Sequence, residues 1–227
     1  MLIDAGTTNA GSTVSNYLKN LGITTLDIVI ATHPHEDHIG GMATVLNNFK
    51  VNQFIDSGYP HTTSTYENML NSIDKKNIPF QTVKTGDIIV FDPAISISVL
   101  NPQDSFMNDI NANSVVLKLT YGKTSFLFMG DAATDVEDRI AGAALNVDIL
   151  KVAHHGSSSS SGSAFLAKVT PAVSIIEVGA GNSYGYPAAA TLSRLQQIGS
   201  KVYRTDLDGT IKVTSDGNSY NVITTAG

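Results

Sequence analysis

The sequence predicts an α/β protein of stacked sheets and helices, and three observations support this. Apolar runs rich in Val and Ile alternate with helical patterns along the whole chain, which favours interleaved α/β layers over separate blocks of each type. No linker cuts the 227 residues, so we expect a single domain over 1–227. The composition, 42% hydrophobic and 15% charged, is typical of an ordinary globular protein.

The first half of the chain predicts strands and helices in turn. A glycine ends the first helix, because Gly adopts the left-handed conformation that commonly follows a helix. The predicted elements are the end of a strand at 2–4, a helix over 12–21 stopped by Gly22, a buried strand over 26–31, a short helix after Gly41, a strand near 54–56 and a helix over 64–76.

The second half repeats this rhythm. We predict strands over 88–91, 95–100, 114–121 and 124–129, a helix after Gly130-Asp131 to about 144, strands over 147–152 and 173–178, a helix over 188–198, and strands near Val202, Ile211 and Tyr220. Gly122-Lys123 is placed as a tight hairpin turn. The run 156–162, five Ser between two Gly, predicts a flexible loop, which is either a solvated linker or a loop facing substrate.

Composition and charge limit the function classes. With no Cys, the chain has neither disulfides nor thiolate metal sites, so a metal would be held by its six His and by carboxylates. The formal charge of −6 argues against an extended basic face for nucleic acid, although a local metal site can still attract a phosphodiester. No apolar stretch reaches the ~18 residues of a transmembrane segment, and Met1 opens no signal peptide.

The segment His33-Pro34-His35-Glu36-Asp37-His38 directly follows a predicted buried strand. Alternate residues of an extended backbone share a face, so His33 and His35 can reach one metal. Asp37 and His38, at the turn into the next helix, can reach a second. The competing interpretation is a surface loop that happens to be rich in His.

One loop cannot complete two coordination shells, so ligands must also come from elsewhere. Asp131 and the pair His154-His155 are candidates, because each follows an apolar strand as the first segment does. For Asp131 the alternative is a helix N-cap.

Together these motifs resemble the metallo-β-lactamase superfamily over nearly the whole chain. They are His33-x-His35-x-Asp37-His38, Leu2-Ile3-Asp4-Ala5-Gly6 before it and Phe128-Met129-Gly130-Asp131 after it. Within the superfamily, the chain is most similar to the hydrolase domain of the DNA-uptake (competence) channel protein and its free-standing relatives. That likeness is carried by His38-Ile39-Gly40-Gly41, 113–117, 150–157, Asn182-x-Tyr184-Gly185 and 203–206. Bacterial choline-phosphoester hydrolases are similar too.

The resemblance implies an αβ/βα four-layer sandwich that binds zinc at two sites, with manganese as the alternative metal. It implies that His33 and His35 bind the first metal, that Asp37, His38 and His154 bind the second, and that Asp131 bridges both. His155 is the alternative to His154. Asp4 would orient a ligand imidazole from behind.

Three departures from the family pattern stand out. The family's His before the strand that leads to Gly-Asp falls on Ile110, so the first site is expected to be weak, with Asp109, Asn111 or Asn113 as stand-ins. Tyr186 occupies a position where the competence-type pattern has His, and a phenol is a poorer general acid at neutral pH than an imidazole. The usual first hairpin is missing before Met1, which predicts a sheet short at one edge or a piece of a longer chain.

We therefore expect a zinc-dependent hydrolase that uses a metal-bound hydroxide on phosphodiester bonds, with single-stranded DNA in DNA uptake as the candidate substrate. Asp37 would hold the attacking hydroxide. The candidates for orienting substrate oxygens are Tyr186, Ser157, Asn182 and Tyr184.

Two alternatives remain: a hydrolase of small phosphoesters or of a lactone or β-lactam, and a metal-depleted, non-catalytic binding module. The missing His at Ile110 and the Tyr at 186 are what make the binding module credible. The resemblance and the Cys-free composition favour an extracytoplasmic or secreted location, and the sequence leaves the oligomeric state open.

Overall fold

The computed structural model describes residues 1–226, which divide into two compact units. The first unit comprises Met1–Lys84 and Pro102–Val115, and the second comprises Thr85–Asn101 and the chain from Val116 onward. Within residues 1–226, every helix is too short or too polar to cross a bilayer. The single domain expected over 1–227 stays a prediction.

A parallel sheet of four short strands, in the order β1-β3-β5-β6, forms the frame of the first unit. Strands β2 and β4 form a separate parallel pair. The elements are β1 (Leu2–Ile3), α1 (Gly11–Asn20), β2 (Thr25–Leu26), β3 (Val29–Ala31), α2 (Glu36–Ile39), α3 (Met42–Asn48), β4 (Lys50–Val51), β5 (Phe54–Asp56), α4 (Ser64–Lys75) and β6 (Phe80–Thr82).

The core of the first unit is a continuous cluster of apolar side chains from the sheet and from α3 and α4. Phe54 from β5, Met42 and Leu46 from α3, and Met69 from α4 are fully buried in it. Burial of such side chains contributes about 1.5–3 kcal/mol each relative to exposure. The core therefore fixes β1, β3 and β5, and with them the loops that follow their carboxyl ends.

The single buried strand predicted over 26–31 is wrong. Leu26 pairs with Val51 in the β2-β4 pair, and β3 of the larger sheet starts only at Val29. Exposed Asp27 lies at the break, where it accepts a hydrogen bond of 3.1 Å from the Asn52 side chain. Apolar residues lie on both sides of Asp27, so hydrophobicity alone could not locate the break.

A seven-stranded mixed sheet, ordered β13-β12-β11-β10-β9-β8-β7, forms the frame of the second unit. Strands β10 to β13 run parallel, and β7 to β10 are antiparallel. The elements are β7 (Ile88–Asp92), β8 (Ile95–Asn101), β9 (Val116–Tyr121), β10 (Thr124–Phe128), α5 (Thr134–Ile140), β11 (Ile149–Lys151), α6 (Ser163–Val169), β12 (Val173–Ile176), α7 (Ala189–Gln197), β13 (Lys201–Arg204), α8 (Thr205–Asp208), β14 (Ile211–Ser215) and β15 (Tyr220–Thr224).

The hairpin turn predicted at Gly122-Lys123 is confirmed. It joins β9 to β10, and Gly122 has a φ of +57°. A Cβ at this position would lie 2.3 Å from the Gly217 carbonyl oxygen, so the turn needs glycine for both its conformation and its packing.

The structure of the second unit differs from the sequence-based expectations at three places. The helix expected to reach 144 ends at Ile140, and α6 had no counterpart among the predicted elements. The serine run is not a solvated linker, because Ser157, Ser160 and Ser161 are buried. Neighbouring side chains hold its backbone, and a sequence pattern cannot show such contacts.

Candidate metal centre

In the first unit, the predicted ligands lie at the carboxyl edge of the parallel sheet. Asp4 directly follows β1, and the segment 32–38 follows β3. Since β1 and β3 are parallel neighbours, their carboxyl ends share one edge, the usual place for a site in a parallel sheet. The backbone is extended at His35 and turns into α2 at Glu36, which directs the side chains of this segment to different sides.

The Asp4 carboxylate organises this segment. Its Oδ1 accepts a hydrogen bond from the Thr32 backbone N–H at 2.8 Å. Its Oδ2 accepts from the Thr32 hydroxyl and from His38 Nδ1, each at 2.7 Å. Asp4 itself has a φ of +57°, a conformation that Asp tolerates better than most residues. Asp4 therefore has the position of a residue that orients ligands from behind.

These bonds determine which ring nitrogen carries the proton in two histidines. His38 Nδ1 faces a carboxylate oxygen, which can only accept, so in the neutral ring Nδ1 carries the proton and Nε2 the lone pair. The Thr32 hydroxyl donates its hydrogen bond to Asp4, so the Thr32 oxygen accepts a hydrogen bond from His33 Nδ1 at 3.1 Å. His33 Nε2 then also keeps its lone pair. The Asp4–Thr32 pair thus leaves Nε2 of both imidazoles able to bind a metal.

The spacing of the donor atoms fits a metal. His33 Nε2 and His35 Nδ1 are 3.1 Å apart, close to the edge of about 3.3 Å between two nitrogens bonded at ~2.0–2.1 Å in a tetrahedral site. Asp37 Oδ2 lies 3.8 Å from His38 Nε2. Imidazole nitrogens and carboxylate oxygens, without any thiolate, are a donor set that zinc and manganese accept.

The glycines after the motif allow close backbone packing. A Cβ on Gly41 would lie 2.3 Å from the Ala5 carbonyl oxygen, and one on Gly40 would lie 2.3 Å from the Thr8 backbone nitrogen. Glu36, between the ligands, accepts from both the backbone N–H and the hydroxyl of Thr8 at 2.7 Å. Glu36 therefore stabilises the loop that contains Thr8.

A further carboxylate at this edge was not among the predicted site residues. Asp56 ends β5 in register with Ala31, is buried, and accepts a hydrogen bond of 2.5 Å from the Gly58 N–H. Burial raises its pKa to about 6, against the opposing effect of that N–H. The sequence could have indicated Asp56 as a site residue, because it lies at the end of a predicted apolar strand.

The polar residues around Ile110 mostly form hydrogen bonds within their own loop, residues 107–113. The Asn113 amide accepts from the Met107 N–H at 2.9 Å and donates to the carbonyl oxygens of Met107 and Asp109 at 2.9 and 2.7 Å. Asp109 accepts from the Asn111 N–H at 2.8 Å. Within residues 1–226, the buried Oδ1 of Asn111 has no hydrogen-bond partner.

In the second unit, Asp131 and the His154-His155 pair lie together. Asp131 is buried, and its Oδ2 lies 3.8 Å from His154 Nε2 and 3.7 Å from His155 Nε2. The Gly130 carbonyl accepts from the His154 N–H at 3.1 Å, which joins the two turns at the ends of β10 and β11. The convergence of these two segments, expected from the sequence, is thus present within this unit.

Both histidines have left-handed backbone conformations, with φ of 48° at His154 and 52° at His155. Each such non-Gly residue costs roughly 1–2 kcal/mol, and strain of this kind tends to occur at functional sites. His155 Nδ1 donates to the Glu177 carbonyl oxygen at 2.8 Å, so its Nε2 carries the lone pair. This bond fixes both the ring orientation and the tautomer of His155.

The loop before α7 contains three predicted substrate-orienting residues. The Asn182 amide accepts from the Tyr186 N–H at 3.0 Å and donates to the carbonyl oxygens of Tyr186 and Gly179 at 2.7 and 3.1 Å, so it holds the loop closed. The Tyr186 ring meets the His154 ring edge-on, with centroids 5.6 Å apart, and Tyr184 stacks on Tyr186 at 5.7 Å. The Ser157 hydroxyl is buried against Ser159 at 2.9 Å.

Glu137 and Arg194, which the sequence did not single out, hold the serine run. Glu137 accepts from the backbone N–H groups of Ser161 and Gly162, the latter at 2.9 Å. Arg194 donates to the carbonyl oxygens of Ser158, Ser160 and Ser161 at 3.3, 2.8 and 2.7 Å. The run directly follows the two histidines, so this packing supports their strained backbone.

The His and Asp donors of both units are typical of a metal-binding protein, and the comparisons with known proteins give the family. A family model described as the metallo-beta-lactamase superfamily matches residues 1–179. The chain belongs to the metallo-β-lactamase superfamily.

Three relatives have names that concern competence or recombination. The chain is 32% identical to ComE operon protein 3 of Bacillus subtilis over 86% of its own length and 25% of that protein. It is 28% identical to Recombination protein 2 of Haemophilus influenzae (94% and 26%) and 29% identical to Competence protein ComA of Neisseria gonorrhoeae (93% and 29%). The chain thus spans about a quarter of the length of these relatives.

Solved structures agree on the fold. The metallo-beta-lactamase fold protein YhfI from Bacillus subtilis aligns with a TM-score of 0.57 at 12% identity, over 88% of this chain and 82% of that one. CmlA, a diiron beta-hydroxylase from Streptomyces venezuelae, aligns with a TM-score of 0.54 at 12% identity, over 80% and 44%. At such low identity these likenesses concern the fold alone.

Proposed function

We propose that the chain is a zinc-dependent phosphodiesterase that acts on single-stranded DNA as part of DNA uptake. The observation that carries this proposal is the likeness, over at least 86% of the chain, to three proteins whose names concern competence or recombination, in a chain that keeps the superfamily's His and Asp pattern. The net charge of −6 favours a locally acting enzyme over one that tracks along nucleic acid.

The proposed ligands are those that the resemblance implies. His33 and His35 would serve the first metal, Asp37 and His38 the second, and Asp131 both. The tautomers that Asp4 and Thr32 impose on His33 and His38 support this assignment. For the position left by Ile110 we propose Asn111, whose buried Oδ1 is an acceptor without a hydrogen-bond partner in the described chain.

For the last ligand we propose His155 in place of His154. Its support is the bond from His155 Nδ1 to the Glu177 carbonyl, since ligand histidines commonly donate their other N–H to such a group. His154 instead contacts the Tyr186 ring. His155→Ala is expected to weaken zinc binding at least tenfold more than His154→Ala. The reverse order in a chelator-competition titration would reassign the ligand.

When bound, the metal supplies Lewis acidity and lowers the pKa of water toward neutrality. The chain's own residues then position the reaction. The Asp37 side chain, which is 48% exposed, would hold the attacking water by accepting a hydrogen bond from it. Tyr186, held by Asn182 and by the ring of Tyr184, is placed to donate a hydrogen bond to a developing oxyanion. Neither step needs a Ser or Cys nucleophile.

The test is a substrate panel with zinc- and manganese-loaded protein: a chromogenic phosphodiester, a phosphomonoester, a β-lactam and a labelled single-stranded oligonucleotide. We expect turnover of the diester and the oligonucleotide, and a loss of roughly 100-fold or more in Asp37→Asn. Turnover of the lactam alone would overturn the proposal. No turnover by protein that retains well under one equivalent of metal would favour the metal-depleted binding module.

A further inference from the structure

Tyr184 is unusually exposed for an aromatic side chain. Its exposed fraction is 79%, against 46% for Tyr17 and 47% for Phe106. One face of the ring is covered by Tyr186, with centroids 5.7 Å apart and planes inclined by 18°. An aromatic ring that is ordered on one side and open to solvent on the other is suited to stack a planar ligand.

The ring is also held in place. The three hydrogen bonds of the Asn182 amide close the loop that carries Tyr184, and the Ala188 N–H donates to the Gly156 carbonyl at 2.9 Å beyond it. A ligand that stacks on Tyr184 therefore finds a preorganised surface, so that less ordering entropy opposes binding.

Tyr184 and Tyr186 lie next to the histidine pair of the candidate metal centre. Tyr186 contacts the His154 ring edge-on at 5.6 Å, and His154 adjoins the proposed ligand His155. Two ring-to-ring steps, of 5.6 and 5.7 Å, thus connect Tyr184 to this histidine pair. With a rise of ~3.4 Å per stacked nucleotide, these two steps span at most about three nucleotides.

We propose that the open face of Tyr184 stacks a nucleobase within about three nucleotides of the scissile phosphate, so that the substrate class is base-bearing single strands. This inference rests on the proposed function. A choline phosphoester fits less well, because recognition of a quaternary ammonium uses rings that surround it, whereas nearly parallel rings leave one flat face. Stacking tolerates any base, as an uptake function requires.

The experiment compares an oligodeoxythymidylate with a strand of equal length that carries abasic residues at the same positions. The readout is the ratio of kcat/KM between the two. In Tyr184→Ala this preference is expected to fall roughly 5- to 150-fold, the effect of losing one stacked base. Tyr184→Phe, which keeps the ring, should retain most of it. Tyr17→Ala, which removes an exposed aromatic from α1, is the matched control and should keep it fully.

Equal losses on both strands in Tyr184→Ala would mean that the residue only supports the loop, and would overturn the inference. A loss of activity in Tyr184→Ala that is confined to a chromogenic choline phosphoester would also overturn the inference. If wild-type protein cleaves no strand, the proposed function fails, and fluorescence anisotropy of the same labelled strands on metal-loaded protein then decides the stacking. Binding of the thymidylate should weaken by the same factor in Tyr184→Ala, and unchanged binding would refute the stacking role.

Discussion

Replacement of Asp4 by Asn tests how the first unit prepares its ligands. The backbone should tolerate the change, because Asn accepts the φ of +57° as readily as Asp. The Thr32 N–H needs an acceptor, so the amide oxygen takes the Oδ1 position and the NH₂ group takes the Oδ2 position. That NH₂ group then faces the Thr32 hydroxyl and His38 Nδ1, where a carboxylate oxygen had accepted both.

The consequence is a changed tautomer at His38. Its Nδ1 must accept from the new NH₂ group, which moves the ring proton to Nε2 and removes the ligand lone pair. Loss of such an orienting partner typically lowers metal affinity 10- to 100-fold, or about 1.4–2.7 kcal/mol. Because the Thr32 hydroxyl also sets the tautomer of His33, we expect a value near the upper end, roughly 100-fold.

Two assays measure this effect. Titration of metal-free protein with zinc against a competing chelator gives the affinity, and nitrogen chemical shifts of the His38 ring give the tautomer without metal. Asp74→Asn, on the exposed side of α4, removes the same charge as a control. A protonated Nδ1 at His38 in Asp4→Asn, or equal affinity losses in both variants, would refute the reasoning.

Three further predictions follow from single contacts. Burial raises the pKa of Glu137 to about 7, so the folded state binds the Glu137 proton more tightly than the unfolded state does. The free energy of unfolding should therefore fall by up to about 3 kcal/mol as pH rises from ~4.5 to ~7. Denaturant titrations at several pH values should show this fall, and a smaller dependence of the free energy of unfolding on pH for Glu137→Gln. Gly41→Ala should destabilise by roughly 1–3 kcal/mol in the same titrations, since its Cβ would meet a carbonyl oxygen at 2.3 Å, whereas Gly142→Ala, which meets nothing within 4 Å, should have little effect. Asn111→Asp should tighten the first zinc site several-fold in a chelator competition, because a carboxylate is a stronger ligand than an amide, and Asn68→Asp on α4 should not.

The sequence predicted the α/β class, most strands and the position of the candidate metal-binding residues after them, because these depend on local hydrophobic patterns and on parallel strand order. Asp4 and the segment from His33 to His38 follow paired strands as expected. The break at Asp27 was missed because both neighbouring strands are apolar.

Features that depend on tertiary contacts were beyond the sequence. The run 156–162 has the composition of a flexible linker, yet Glu137 and Arg194 hold its backbone from other elements. Asn182 has the residue type of a substrate-binding group, yet its amide serves the backbone of its own loop. The choice between His154 and His155 likewise turns on one carbonyl group, that of Glu177, 22 residues away.

Metal content tests the central claim, that the His and Asp residues bind a hydrolytic metal, most directly. Protein purified without chelator, then exposed to excess zinc and desalted, should retain about one to two equivalents per chain by mass spectrometry. Chelation should abolish phosphodiester turnover and zinc should restore it. Well under one equivalent of zinc, with manganese giving the same result, would contradict the account.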